Sequence, residues 1–338
     1  MCKRVITIVS VFMLSIAMTF SVQASDLDTH LGTWGELING TKGIDVLMDD
    51  FEDLPDGESL VGQANIEDHW VLERGSGEPT HNMTVFMDGG QKAVNFGPFT
   101  QMVSKYKLTN RYIFEIEGKG TGQCFGMFVR TTGEHFTIGN GEVIAFYSHD
   151  LSDWSSNVHM GSSGIFLVPG GWGSDIISIY VKVYRDNLET KLANERIDIK
   201  LEGVDFGSAY HKITMTDDGS VLNFFVDEQK FASVEMSGEA TYPDLSANKF
   251  FKSVVVKDSA GNVLRNVDNV LLSKDFSVPL IALRISNYAV NSVSLREYAA
   301  YTEPNTETGD NASLYSVFAL LTAGALLSLV FKKKLYNV

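Results

Sequence analysis

The feature that most constrains this chain is a two-residue hydrophobic rhythm with no competing helical period. Apolar and polar side chains alternate in 111–117 (RYIFEIE), 176–185 (IISIYVKVYR), 211–216, 221–226, 230–236, 250–257, 279–286 and 292–299. Successive strand side chains point to opposite faces, so such runs read as strands with one buried face. Between them lies turn chemistry, Asp217-Asp218-Gly219-Ser220 and Asp258-Ser259-Ala260-Gly261-Asn262, where Gly and Asn accept positive φ. Short strands at this spacing over 47–301 predict an all-β sandwich, a size that one domain can hold. Hydrophobic residues make up 44% of the chain, enough for a core, which excludes a wholly disordered polypeptide.

The two ends read differently. Residues 1–24 begin with Lys3 and Arg4, continue through an apolar run and close on Ser21-Val22-Gln23-Ala24, the pattern of a secretory signal peptide. Residues 25–46, with Trp34, read as an N-terminal strap of unassigned pairing, and 302–313 as a polar spacer. The run 314–331 is uncharged and is followed by Lys332-Lys333-Lys334. As a helix it would span about 27 Å, near the roughly 30 Å of a bilayer core, so it is expected to cross a membrane with 332–338 as a basic cytoplasmic tail.

The charge narrows the partners. The chain has 42 acidic and 27 basic residues and a net charge of −15. Without the two basic residues of the leader and the three lysines of the tail, residues 25–331 carry −20. Phosphate binding needs a cationic face, so nucleic acid is excluded as a partner. The two cysteines are Cys2 and Cys124, and removal of the leader leaves Cys124 alone, without an internal disulfide. Cys124 sits in an apolar stretch and reads as a packing residue. An exported domain without disulfides depends on its core for stability.

Ahead of the apolar run stands Asn305-Thr306-Glu307-Thr308-Gly309-Asp310-Asn311. The order of Thr-Gly, apolar helix and terminal lysines resembles the cell-wall sorting signal of Gram-positive surface proteins. That resemblance implies a sortase that cleaves between Thr308 and Gly309 and passes the threonine carbonyl to peptidoglycan, with the protein held on the outer face of a Gram-positive cell. The family's proline two residues before the threonine is replaced by Thr306, so retention by the membrane helix stands beside covalent wall attachment.

The segment from Tyr210 to Val234, with its Asp218-Gly219 turn and Val226-Asp227 strand end, looks like a hairpin of laminin-G-like and concanavalin A-like jelly rolls. The stretches 281–290 and 293–295 resemble the last two strands of that superfamily, and 48–70 its opening. The resemblance implies a jelly-roll β-sandwich and a structural calcium held by oxygens of the first and last strands, for which Asp50 and Glu52 are the candidates. Arg296 stands where relatives often carry an acid, so an ion pair of Asp50 or Glu52 with Arg296 is the alternative to the metal. The histidines show no transition-metal spacing.

Three functions remain in view. The leading expectation is a non-catalytic carbohydrate-binding or adhesion module. Sugar rings stack on flat aromatic faces while polar groups read the hydroxyls, and Tyr147, His149, Asp150, Trp154, His159 and Trp172 supply both. A shallow groove lined by Tyr180, Lys182 and Tyr184 is weighed against an exposed tyrosine ladder. The second expectation is a surface glycoside hydrolase of the jelly-roll type, which needs two carboxylates across the scissile bond. Its nearest candidates, Glu115-Ile116-Glu117 and Asp198 to Glu202, do not show the needed offsets, and no catalytic residue is assigned. The third is a structural wall protein without a specific ligand.

Overall fold

A computed structural model describes residues 25–31, 47–74, 83–96, 100–105, 108, 111–121, 125–131, 136–137, 143–144, 163–184, 192–242, 249–276, 280–283 and 288–298. The chain divides into two units, Met1–Ala300 and Tyr301–Val338, and every described residue lies in the first. Among the described residues no helix is long and apolar enough to cross a membrane; 314–331 lies outside them.

Along the chain the elements are α1 (Asp26–Leu31), β1 (Leu47–Asp49), α2 (Ala64–Glu67), β2 (Trp70–Arg74), β3 (Met83–Asp88), β4 (Gln91–Phe96) and β5 (Thr100–Ser104). Next come β6 (Tyr112–Lys119), β7 (Gly126–Val129), β8 (Phe136–Thr137), β9 (Val143–Ile144), β10 (Ile165–Pro169), β11 (Ile176–Tyr184) and β12 (Leu192–Lys200). The last are β13 (His211–Asp217), β14 (Val221–Val226), β15 (Gln229–Ser237), β16 (Ser253–Asp258), β17 (Val263–Asp268), β18 (Leu280–Leu283) and β19 (Tyr288–Glu297).

These strands form two large sheets and one small one. The ten-stranded sheet runs β17-β16-β15-β14-β13-β6-β19-β4-β3, with β1 added beside β19. The seven-stranded sheet runs β12-β11-β10-β7-β18-β5-β2, and β8 pairs with β9. All pairings between these strands are antiparallel, as the alternating patterns require when only one face is buried in the common core. Crossings such as β6 between β13 and β19 put sequence-distant strands side by side, the connectivity of a jelly-roll sandwich.

The alternation decides the layers. Phe114 and Ile116 of β6, Ile213 and Met215 of β13, and Leu222 and Phe224 of β14 enter the core from one sheet. Met127 and Val129 of β7, Ile165 and Leu167 of β10, and Ile177, Ile179, Val181 and Val183 of β11 enter it from the other. Fully burying one such side chain contributes about 1.5–3 kcal/mol, so this layer is the main source of stability in a domain without disulfides.

Part of the N-terminal strap has a defined place. Helix α1 is too short to stand alone and is held on the outside of the ten-stranded sheet. Leu27 is buried, its N–H donates to Glu228 O (3.2 Å), and Asp26 accepts the Lys230 N–H (3.1 Å). His30 Nε2 meets Thr216 Oγ1 at 3.0 Å, and its ring leans on Phe225.

Candidate functional site

Among the described residues, the face of the seven-stranded sheet that looks away from the core carries a connected set of aromatic and polar side chains. On β11 the residues between the core-facing ones are Ser178, Tyr180 and Lys182. Phe166 lies opposite Phe128 on one side and Tyr180 on the other, and the three rings stack at 4.5 and 4.6 Å. This row crosses β7, β10 and β11.

Trp172 ends the row. It sits in the turn between β10 and β11, which closes with Gly170 at φ 69° and with the Gly170 N–H donating to Ile176 O. A Cβ at Gly170 would come within 2.5 Å of Gly120 O, so this turn requires glycine. Trp172 Nε1 donates to the Tyr180 hydroxyl at 2.7 Å, and the Arg196 guanidinium of β12 lies 4.3 Å from the ring centre. The indole remains 44% exposed. Its ring is therefore both accessible and fixed, because its polar edge is anchored to a tyrosine that is itself stacked.

Polar groups stand beside it. Asp198 accepts from the Ser178 hydroxyl at 2.7 Å and pairs with Arg196 at 3.2 Å. Lys200 pairs with Asp175 at 2.8 Å, and that hydrogen bond holds the Asp175 carboxyl below the usual carboxylate range. Further along β11, Lys182 has no exposed surface, and burial pushes its amine down to about 7. The expected open groove along Tyr180, Lys182 and Tyr184 is corrected: Tyr180 is 8% exposed and Lys182 fully buried, so neither that groove nor an exposed tyrosine ladder exists. Period two places these residues on one face without telling whether anything covers it.

Of the carboxylates read from the sequence, Asp198 stands at this corner, whereas Glu115 and the acids after β1 are engaged elsewhere. Glu115 accepts from the Thr214 hydroxyl at 2.8 Å and lies near Lys212 (3.8 Å) and Arg296 (3.9 Å), on the outside of the ten-stranded sheet. Arg296 thus has Glu115 as its acidic partner, not Asp50 or Glu52. The corner after β1 does not fit a calcium ion. Asp50 accepts the Glu52 N–H (3.2 Å), Glu52 Oε1 accepts the Lys92 N–H (2.9 Å), and the Lys92 ammonium donates to Glu52 O and to Leu54 O (2.6 Å). The Lys92 ammonium already occupies the two carbonyl oxygens of this corner, and among the described residues no three His, Cys, Asp or Glu side chains gather around one point.

Of the six residues expected to bind a ligand, Trp172 is described, and it is the exposed ring of this site. Tyr147, His149, Asp150, Trp154 and His159 lie outside the described residues, as do Cys124, Thr308 and Gly309. Sequence reasoning missed Arg196 and Phe166 as members of the site. Their signal is the cross-strand register Phe128, Phe166, Tyr180, Arg196, which exists only once β7, β10, β11 and β12 are paired.

No family model matches the chain, and no curated protein matches it. Solved structures do. A glycoside hydrolase family 16 endo-glucanase from Bacteroides ovatus matches at 12% identity and a TM-score of 0.40, over 73% of this chain and 98% of its own. A β-agarase A in complex with oligoagarose matches at 12% and 0.40, over 76% and 92%. β-Agarase B from Zobellia galactanivorans matches at 12% and 0.40, over 75% and 93%. These neighbours are hydrolases, and the expectation of a non-catalytic binding or adhesion module is corrected on that finding: the alternative expectation, a jelly-roll glycoside hydrolase, is the one they match. What the chain shares with them is an all-β sandwich, which its own strand pairings show.

Proposed function

We propose that this chain is an exported, surface-held protein of the glycoside-hydrolase type that acts on polysaccharide through the Trp172 corner of the seven-stranded sheet. The observation that carries the reading is the Trp172 ring, exposed yet fixed by Tyr180 and Arg196, with the Asp198 carboxylate paired to that same arginine. A flat ring offers its face to the apolar side of a pyranose, and a neighbouring guanidinium and carboxylate read the hydroxyls. In this reading Asp198, held in place by Ser178 and Arg196, is one carboxylate of the pair and takes the proton of the attacking water, while a second acid protonates the leaving oxygen. Export rests on the leader 1–24. Surface retention rests on the apolar run 314–331 with its lysines, and attachment to peptidoglycan on sortase cleavage between Thr308 and Gly309.

The test is incubation of the protein with a panel of β-glucans and agarose, reading binding and the release of reducing ends. We expect release by the native chain, a fall of roughly a hundredfold or more in Asp198→Asn, and loss of binding in Trp172→Ala. Binding without release overturns the hydrolytic part. Silence in both readouts, or activity indifferent to both substitutions, overturns the whole.

A further inference from the structure

Strand β12 is the last strand of the seven-stranded sheet, and among the described residues no strand pairs with its far side. It is nine residues long, pairs with β11 in unbroken register from Tyr184↔Leu192 to Ile176↔Lys200, and contains neither Pro nor Gly. Bulges, prolines and very short edges are the usual guards against pairing with another chain, and β12 has none of them. Its guard is charge, and that charge has a pattern: Arg196, Asp198 and Lys200 follow one another on the face that looks away from the core.

A strand that pairs antiparallel with its own copy is related to it by a two-fold axis normal to the sheet, which keeps each residue on its face and sets one residue opposite itself. Centring the axis on Arg196 or on Asp198 sets like charges against each other. Centring it on Ile197 sets Arg196 against the partner's Asp198, Asp198 against the partner's Arg196, and Asn194 against the partner's Lys200. Arg196 and Asp198 then each meet an opposite charge across the axis besides the one each has within its own chain, and Lys200 keeps Asp175. Opposite charges directly across an antiparallel pair contribute roughly as cross-strand pairs do, while like charges oppose pairing.

We propose that the chain forms a two-fold dimer through β12, with Ile197 on the axis and the two seven-stranded sheets joined into one. The axis leaves both Trp172 rings on the same face. At strand spacings of about 4.8 Å and 3.4 Å per residue, the two Arg196 Cα atoms stand about 8 Å apart. A single polysaccharide chain then spans both Trp172 platforms and gains from the raised local concentration of the second. The dimer itself does not depend on the proposed glycan reading, because its readout is mass.

The experiment is sedimentation equilibrium of the full chain in mild detergent, which keeps the apolar run 314–331 from associating on its own. The native chain is expected to sediment as a dimer, Arg196→Asp and Asp198→Arg each as a monomer with native circular dichroism, and the double exchange Arg196→Asp with Asp198→Arg again as a dimer. An Ile197→Cys variant is expected to cross-link to its own copy on oxidation. A native chain that stays monomeric up to the millimolar range overturns the proposal. So does a dimer that ignores the single charge reversals, or a double exchange that fails to restore it while remaining folded.

Discussion

Arg130 and Asp217 form a two-pronged ion pair in which neither side chain has any exposed surface: Nε to Oδ2 at 2.6 Å and one terminal nitrogen to Oδ1 at 2.7 Å. Arg130 follows β7 and Asp217 ends β13, so the pair ties the seven-stranded sheet to the ten-stranded one. The remaining guanidinium nitrogen donates to the carbonyls of Ser273 and Lys274, and the plane lies 4.3 Å from the Phe276 ring centre. Arg130 holds φ at 57° to reach this position, a conformation that non-glycine residues adopt at a cost.

Removing one partner leaves the other charge buried and unpaired, which costs about 3–5 kcal/mol. We expect Asp217→Asn and Arg130→Met each to lower the unfolding free energy by that order, read as a fall in the urea midpoint. The double substitution should cost less than the sum of the two, because the second change removes the charge that the first left stranded. Urea unfolding of the four proteins measures this coupling.

Lys182 predicts a pH dependence on the neutral to alkaline side, where stability rises as the pH rises. Its amine titrates at about 7 in the folded chain because of burial, and at its ordinary 10.5 when unfolded. Between these values the unfolded chain binds more protons, so stability rises with pH from 7 to 10.5 and the slope approaches about 1.4 kcal/mol per pH unit from this group alone. Denaturant midpoints at successive pH values, compared with Lys182→Met, isolate it. The variant is expected to be more stable at pH 7 and to lose that part of the slope.

Tyr288 is fully buried against Phe125, with the rings stacked at 3.7 Å, and its hydroxyl meets no hydrogen-bond partner among the described residues. Burial raises its pKa, with the nearby Tyr210 adding to the rise. An unsatisfied buried hydroxyl costs about 1–3 kcal/mol, so Tyr288→Phe is expected to raise the melting temperature. At the same contact, Gly118→Ala would put a Cβ 2.5 Å from Tyr288 Cε1 and is expected to lower it. Calorimetry of the two variants reads both signs.

The corner after β1 predicts indifference to chelation. With the Lys92 ammonium on Glu52 O and Leu54 O, excess EDTA should leave the melting temperature unchanged. Lys92→Met removes two charge-assisted bonds and leaves the carbonyls to water, with an expected loss of about 1–3 kcal/mol. A melting temperature that falls on chelation of the native protein would show instead that a cation is bound there.

The strand content was legible because alternation is a local signal. RYIFEIE became β6 and IISIYVKVY became β11, with the apolar set turned to the core as the pattern requires. Of the proposed site, the sequence singled out Trp172 as a ligand platform and Asp198 among the carboxylates. Trp172 stood out as an aromatic ring among glycines, whereas Arg196 lies in LANERIDIK, an arginine like any other until β12 is laid beside β11. The acids Asp50 and Glu52 looked like cation ligands, and only the β4 neighbour Lys92, forty residues from Glu52, shows that a main-chain N–H occupies Glu52 Oε1 and an ammonium the carbonyls of this corner.

By itself the sequence determined that this chain is a sandwich of alternating strands, rich enough in apolar residues to fold without a disulfide, because one-sided burial imprints a period of two on every strand. The tertiary structure decided which strands lie side by side and what covers each outer face. It joined Arg130 to Asp217 across 87 positions and buried Lys182 where the alternation alone allowed exposure. Pairing is a contact between distant segments, set by register and packing, and no local pattern records it.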